Sequence, residues 1–247
     1  MHHYRGAMTV HRILAGTDGR LRVAPWRGDD ATAYLTPTRG RPSRAAVERC
    51  LAELPRDGYA AAITAALPGV EQMPFLQAGF VVLERLHLLR RTLDGLPVPA
   101  APTVELRRSR SLERPAVLAA DAAAFPPFWR LDEAGLEDAM AATPSSRLRV
   151  AVSLAAGSPI VGYAVTGRAG PRGYLQRLAV EPTAQRAGIG GALVVDGLRW
   201  LRRWGAKEVL VNTQEGNGSA VGLYEQLGFL MQADGLAVLR HSLDGPT

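Results

Sequence analysis

The residues best placed for chemistry crowd into one stretch, 173–229. Gly173-Tyr174-Leu175-Gln176-Arg177-Leu178-Ala179-Val180-Glu181-Pro182 reads as an apolar strand that a proline stops. Gln185-Arg186-Ala187-Gly188-Ile189-Gly190-Gly191-Ala192 follows, a glycine-rich turn that opens a helix. Glycine lets backbone approach a ligand with no Cβ in between. The first N–H groups of a helix lack an intrahelical partner and point at an anion. A tight turn alone needs one glycine, and this one carries three, so the stretch reads as a phosphate cradle. It lacks the Lys-Ser/Thr ending of a P-loop, and Gly188-Ile189-Gly190 lacks the third glycine of a dinucleotide fingerprint. Downstream stand Asn217, a candidate helix cap, and Tyr224. The latter shares a helical face with Ala220, Leu223 and Leu227, where an aromatic is ordinary core.

The order strand, Gln-x-x-Gly-x-Gly, helix, strand, Asn217, Leu223-Tyr224-Glu225-Gln226-Leu227-Gly228-Phe229 resembles the GCN5-related N-acetyltransferases, the GNAT superfamily, over about residues 103–243. The resemblance implies an α/β fold, a mixed and mostly antiparallel sheet flanked by helices. It implies acetyl-CoA as the acetyl donor, its pyrophosphate held by the backbone of Gln185, Arg186, Ala187, Gly188, Ile189, Gly190 and Gly191. Leu178, Ala179 and Val180, whose side chains are also core, would pair their backbone with the pantetheine arm like an added strand. One N–H there would hold the thioester oxygen. Asn217 would bond the same arm, and Tyr224 would return a proton to the departing sulfur. A phenol of pKa about 10 stays protonated at neutral pH and can donate. The implied reaction is direct attack by a primary amine, a protein N-terminus or a small amine such as an aminoglycoside or polyamine. No activated Cys or Ser offers a covalent route.

One position departs from the pattern. Asn212 stands where bacterial ribosomal-protein alanine acetyltransferases carry a glutamate base. Asparagine does not titrate, so the base is Glu215, Asp132 or Glu133, or acts through water, or is unnecessary. Phe125, Phe128 and Trp129 lie in the loop that shapes the acceptor pocket in the family; packing of that loop over the core is the plainer reading. His87 and His241 have no partner legible in sequence. A reading of a different class is a non-catalytic acyl-CoA sensor or assembly module.

The elements that hold these residues repeat along the chain. Thr9–Ala15 and Leu21–Trp26 flank a turn at Thr17-Asp18-Gly19-Arg20, and Ala31–Thr36 is a third strand ending at Pro37. A helix over Pro42–Leu54, a strand over Tyr59–Thr64, a short helix over Gln72–Gln77 and a strand from Gly79-Phe80 to Arg90 follow. Setting Gly79-Phe80 on Gly228-Phe229 gives an offset of 149 that places Tyr59–Thr64 on Glu208–Thr213 and Phe75 on Tyr224. Residues 1–93 then form a smaller, degenerate copy of the second half of the fold. Its phosphate loop is reduced to Thr38-Arg39-Gly40-Arg41-Pro42, and Phe75 has no hydroxyl. Residues 94–102 are proline-rich and read as a semi-rigid linker, leaving 103–247 as the catalytic domain.

Composition fits a globular chain of one large or two small domains, with 247 residues and 47% apolar content. Cys50 is the single cysteine, so an intramolecular disulfide is excluded, and its helical setting suggests an inert buried thiol. No segment reads as a signal peptide or a bilayer span, which points to a cytoplasmic protein without a membrane partner. Metal-ligand spacing is absent. The net charge of +6 is carried by scattered arginines without interleaved aromatics, which fits a polyanionic cofactor better than nucleic acid.

Overall fold

The computed structural model describes residues 12–16, 19–98 and 104–243. The Asp18 turn and the Pro99–Thr103 part of the expected linker and first strand lie outside the described residues. In chain order the elements are β1 (Arg12–Gly16), β2 (Gly19–Trp26), β3 (Asp29–Arg39), α1 (Arg44–Glu53), β4 (Ala61–Thr64), β5 (Leu67–Pro68), α2 (Gly69–Gln77) and β6 (Val81–Thr92). Then come β7 (Val104–Arg108), α3 (Arg114–Ala124), α4 (Glu133–Ala141), β8 (Ser145–Ser153), β9 (Ile160–Ala169) and β10 (Arg172–Val180). The chain closes with α5 (Ile189–Arg203), β11 (Glu208–Gln214), α6 (Gly218–Gln226), β12 (Leu230–Met231) and β13 (Leu236–Ser242). Side-chain caps fix three helix starts: Ser43 accepts from the Ala46 amide, Asp132 from Gly135 and Asn217 from Ala220. Among the described residues no helix is long and apolar enough to cross a membrane.

The chain divides into two compact units, one reaching to Leu86 and resuming at Asp234, the other running from His87 to Ala233. This differs from the expected boundary at 94–102. The C-terminal strand pairs in the first unit: β13 joins β4 at Ala61–Ile63 and the first half of β6 at Val81–Leu86. The second half of β6 belongs to the second unit, where Leu89 and Arg90 pair with β12.

In the first unit β1, β2 and β3 form an antiparallel meander, and β4 adds to β3 in parallel. Val47, Cys50, Leu51 and Leu54 pack with Leu35, Ala62, Phe75, Phe80 and Leu239 in one core. Cys50 is buried, as its helical spacing suggests. Pro37, expected to end the third strand, lies inside β3 opposite Leu21. The ladder shifts register beside it, between Arg20 and Leu21, and pairing with β4 has already ended at Leu35, so the missing N–H costs no ladder bond on that edge.

In the second unit β7, β8, β9 and β10 are antiparallel neighbours, and β11 joins β10 in parallel. This is a mixed, mostly antiparallel sheet flanked by helices. Its side chains alternate: Leu148, Val150, Tyr163 and Val165 pack with α3 and α4, while Ala151, Ala164 and Val161 pack with Ile189 and Leu193 of α5. Gly197 lets α5 lie close, since a Cβ there would meet Thr166 Oγ1 at 2.9 Å.

Candidate active site

The site starts where two parallel strands part. β10 and β11 pair from Arg172↔Glu208 to Leu175↔Val211 and no further. A bulge at Gln176 re-aims β10 just past that point. Leu178, Ala179 and Val180 stay paired with β9 through Ala164, Tyr163 and Gly162. Their other edge has no strand partner among the described residues, so β10 presents open backbone to the gap. Ala179 is buried and packs against the α3–α4 side; Leu178 and Val180 are half-buried.

The glycine-rich turn sits at the end of that open edge. A short 3₁₀ turn at Pro182–Ala184 leads to Gln185, whose Nε2 donates to the Val180 carbonyl at 3.1 Å. Arg186 and Gly188 both take left-handed backbone, with φ of 68° and 76°. Glycine at 188 is what that backbone favours; the strained Arg186 was not foreseen from sequence, because nothing in an arginine announces it. Gly188 caps α5 without a side chain, and the first amide bonded inside the helix is that of Ala192, to the Gly188 carbonyl at 3.0 Å. The amides of Ile189, Gly190 and Gly191 therefore have no intrahelical acceptor, and they sit at the positive end of a 15-residue helix. A Cβ on Gly190 would lie 3.3 Å from Leu223 Cδ2 and 3.9 Å from Val180 Cγ2. Strand end, loop and α6 thus converge on one spot.

Tyr224 stands on the inner side of α6. It is 5% exposed, its ring tilts against Phe229 at 5.6 Å, and Leu178 packs into the same cluster. Burial alone pushes its phenol pKa up to about 12. The Asn217 carbonyl oxygen accepts from the Ala220 amide at 3.1 Å and from Ser219 Oγ at 3.0 Å. Among the described residues its NH₂ has no acceptor, so capping uses only the oxygen half of the amide. Asn212 is exposed on β11, one residue beyond the last pair with β10, and Glu215 is exposed beyond it. Asp132 is committed to capping α4, and Glu133 pairs with Arg114.

The loop of Phe125, Phe128 and Trp129 is tied to β10 by a buried network that sequence reading missed. Asp121, fully buried on α3, takes Arg177 in a two-pronged bond at 2.7 and 2.8 Å, the Tyr163 hydroxyl at 2.6 Å and the Leu131 amide at 2.8 Å. Arg177 also donates to the Trp129 carbonyl at 2.7 Å and lies 3.4 Å over the Phe125 ring. Burial first, and then the Asp121 charge, raises the Tyr163 pKa, so this phenol is a fixed donor. Phe128 is 42% exposed and stacks edge-on with Trp129 at 5.0 Å. The three aromatics are thereby held beside Arg177, the residue that precedes Leu178.

Residues 115–229 match the model of the Acetyltransferase (GNAT) family. The whole of that match lies within the second unit. Solved structures share the fold over nearly the whole chain. A tandem GNAT protein from the clavulanic acid biosynthesis pathway superposes with a TM-score of 0.66 at 16% identity, over 93% of this chain and 80% of that one. A GCN5-related N-acetyltransferase from Sphaerobacter thermophilus gives 0.60 at 17% identity, over 91% and 76%. Among curated proteins, the mycothiol acetyltransferase of Acidothermus cellulolyticus is 29% identical over 228 residues, which cover 91% of this chain. The match spans 63% of that relative's own length. The matching family and the curated relatives are acetyltransferases.

Proposed function

We propose that the second unit transfers an acetyl group from acetyl-CoA to a primary amine of low pKa. The observation that carries this reading is the open edge of β10 running into the orphan amides of α5, with Tyr224 packed beside both. Bound acetyl-CoA would supply the activated acetyl thioester. The amides of Ile189, Gly190 and Gly191, with the left-handed turn of Arg186 and Gly188, suit its pyrophosphate. The backbone of Leu178, Ala179 and Val180 suits its amide-bearing arm, and one N–H there serves a developing oxyanion. The Asn217 NH₂ adds a donor to that arm. The amine forms the new C–N bond as the C–S bond breaks; Tyr224 holds a proton on Oη for the leaving sulfur, and the amine's own proton passes to solvent. Phe125, Phe128 and Trp129 form the acceptor wall.

The mycothiol acetyltransferases that this chain resembles are named for mycothiol and for no protein substrate, which favours a small amine here over a protein side chain. The test is mass spectrometry of products after incubating the chain with acetyl-CoA and a small-molecule cell extract. A new acetylated amine supports the reading. Binding of acetyl-CoA without any product would instead mark an acyl-CoA-binding module.

A further inference from the structure

A cavity lies in the second unit, away from the parted strands. It holds about 460 Å³, a size suited to a small ligand rather than a lone ion. Five arginines line it: Arg108, Arg110, Arg114, Arg147 and Arg149. Arg147 and Arg149 point the same way from β8 and share one carboxylate, that of Asp196 on α5. Arg114 is matched by Glu133 and Glu137. Arg108 and Arg110 are exposed; Glu113 lies beside Arg110 and accepts from its amide, but both oxygens of that carboxylate are taken by Arg107, a guanidinium outside the cavity that offsets its charge. Set against the three carboxylates paired with them, the five guanidinium groups leave a surplus of two positive charges. Arg147 also keeps a buried Nε–H without a hydrogen-bond partner among the described residues. Three serine hydroxyls and the apolar faces of Trp200, Met140 and Leu148 complete the wall.

We propose that this cavity binds a small phosphomonoester, with the phosphate on the arginines and the organic body against Trp200. A phosphomonoester carries about −1.5 to −2 at neutral pH, which matches the surplus, whereas a carboxylate carries half of that. Guanidinium forks suit its oxygens. The cavity is separate from the proposed acyl-CoA loop: Trp200 lies eleven residues down α5 from Ile189, roughly 16 Å along the axis.

Phenyl phosphate is a suitable probe, titrated calorimetrically into the full chain. One equivalent should bind, and saturating coenzyme A should leave that binding intact. Arg108→Ala with Arg110→Ala, both at exposed positions, should weaken it about tenfold or more with an unchanged melting temperature. Benzoate, the singly charged analogue, should bind about tenfold more weakly than phenyl phosphate. Absence of heat at millimolar probe, equal affinity in the double variant, equal affinity for benzoate, or displacement by coenzyme A would each overturn the proposal. Only displacement by coenzyme A would also bear on the acyl-CoA loop; the other outcomes leave acetyl transfer untouched.

Discussion

The helix-to-strand corner of the first unit and that of the second are built alike, residue for residue. At an offset of 149, α2 (Gly69–Gln77) falls on α6 (Gly218–Gln226) with identical bounds. Each helix ends on a left-handed glycine, Gly79 at φ 89° and Gly228 at 78°. In each, the next phenylalanine bonds back to the aromatic five residues before it: Phe80 to Phe75 at 3.1 Å, Phe229 to Tyr224 at 2.9 Å. The ring pairs stand 5.3 and 5.6 Å apart. The differences that bear on the site lie in what each corner leaves unsatisfied. In the first unit β3 and β4 stay paired to Leu35↔Thr64, and Ala65 then bonds the Leu35 carbonyl at 2.9 Å. The matching positions in β11, Asn212 and Thr213, lie beyond the last pair with β10. α1 follows Pro42 and is capped by Ser43, whereas α5 is capped by Gly188 with no side chain. Packing keeps the scaffold in both; the candidate chemistry is a thin layer of open backbone and one hydroxyl, removable without disturbing the core.

The sharpest way to break the comparison is to remove that layer. Gly188→Val with Gly190→Trp forces a β-branched residue into left-handed backbone and drives a ring into Leu223. Losing three charge-assisted amide contacts should weaken acetyl-CoA binding by roughly 10³-fold or more. Calorimetry on the parent chain should find one equivalent. Two equivalents would mean that the first unit, despite Pro42 and Ser43, still holds the donor.

Tyr224→Phe makes the second corner chemically like the first. Phenylalanine fills the same volume, so affinity for acetyl-CoA and melting temperature should hold while turnover falls roughly 10²–10⁴-fold. The converse Phe75→Tyr should add nothing. A general acid must be protonated, and its contribution is lost as pH rises through its pKa. With that pKa near 12, Tyr224 should impose no falling limb below about pH 11. A Tyr224-dependent loss of rate near pH 8 or 9 would contradict the buried phenol described here.

What the sequence disclosed and what it hid follow from the range of the interactions. The Gly188–Gly191 turn, the Asn217 cap and the Gly228 corner are local, and composition within a few residues encodes them. The offset of 149 was legible because helix and corner are both set by local spacing. Asp121 was not. It sits in Ala-Ala-Asp-Ala-Ala-Ala, where an acid reads as a solvent-facing helix position, and its partners Tyr163 and Arg177 are 42 and 56 residues away. Nor did any local signal say that β13 would pair with β4, about 175 residues earlier, as in Leu239 N to Thr64 Oγ1.

A smaller effect is expected from Asn212. At offset 149 it replaces Ile63, which is fully buried in a paired strand, whereas Asn212 is exposed at the parting. Asp132 and Glu133 are engaged elsewhere, and Glu215 is exposed three residues past Asn212, beyond the end of β11. A lysine amine of pKa about 10.4 then costs roughly 3–4 kcal/mol more to deprotonate than an α-amine near 7.7–8.0. Acetylation of an α-amine or amino-sugar amine should exceed that of a matched lysine amine by roughly 10²-fold in a competition at pH 7. Lysine preference would reveal a base beyond those considered.

The smallest effect tests whether one cap accounts for the silence of the first unit. Ser43 Oγ accepts the Ala46 amide at 3.2 Å, satisfying a donor that the equivalent helix α5 leaves open. Ser43→Ala should cost about 1 kcal/mol of stability. In a chain of this size that lowers the melting temperature by roughly 2–4 °C. It should not create a second acetyl-CoA site. Freeing the amide leaves Ser43 in extended backbone, φ −73° and ψ 162°, where Gly188 turns left-handed. The preceding residue is Pro42, which has no N–H to offer. An anion cradle needs free amides and a turn that folds back over the anion, and the variant restores only the first. If Ser43→Ala raised the bound equivalents from one to two, the turn would be dispensable, and the difference between the two units would shrink to a single side-chain cap.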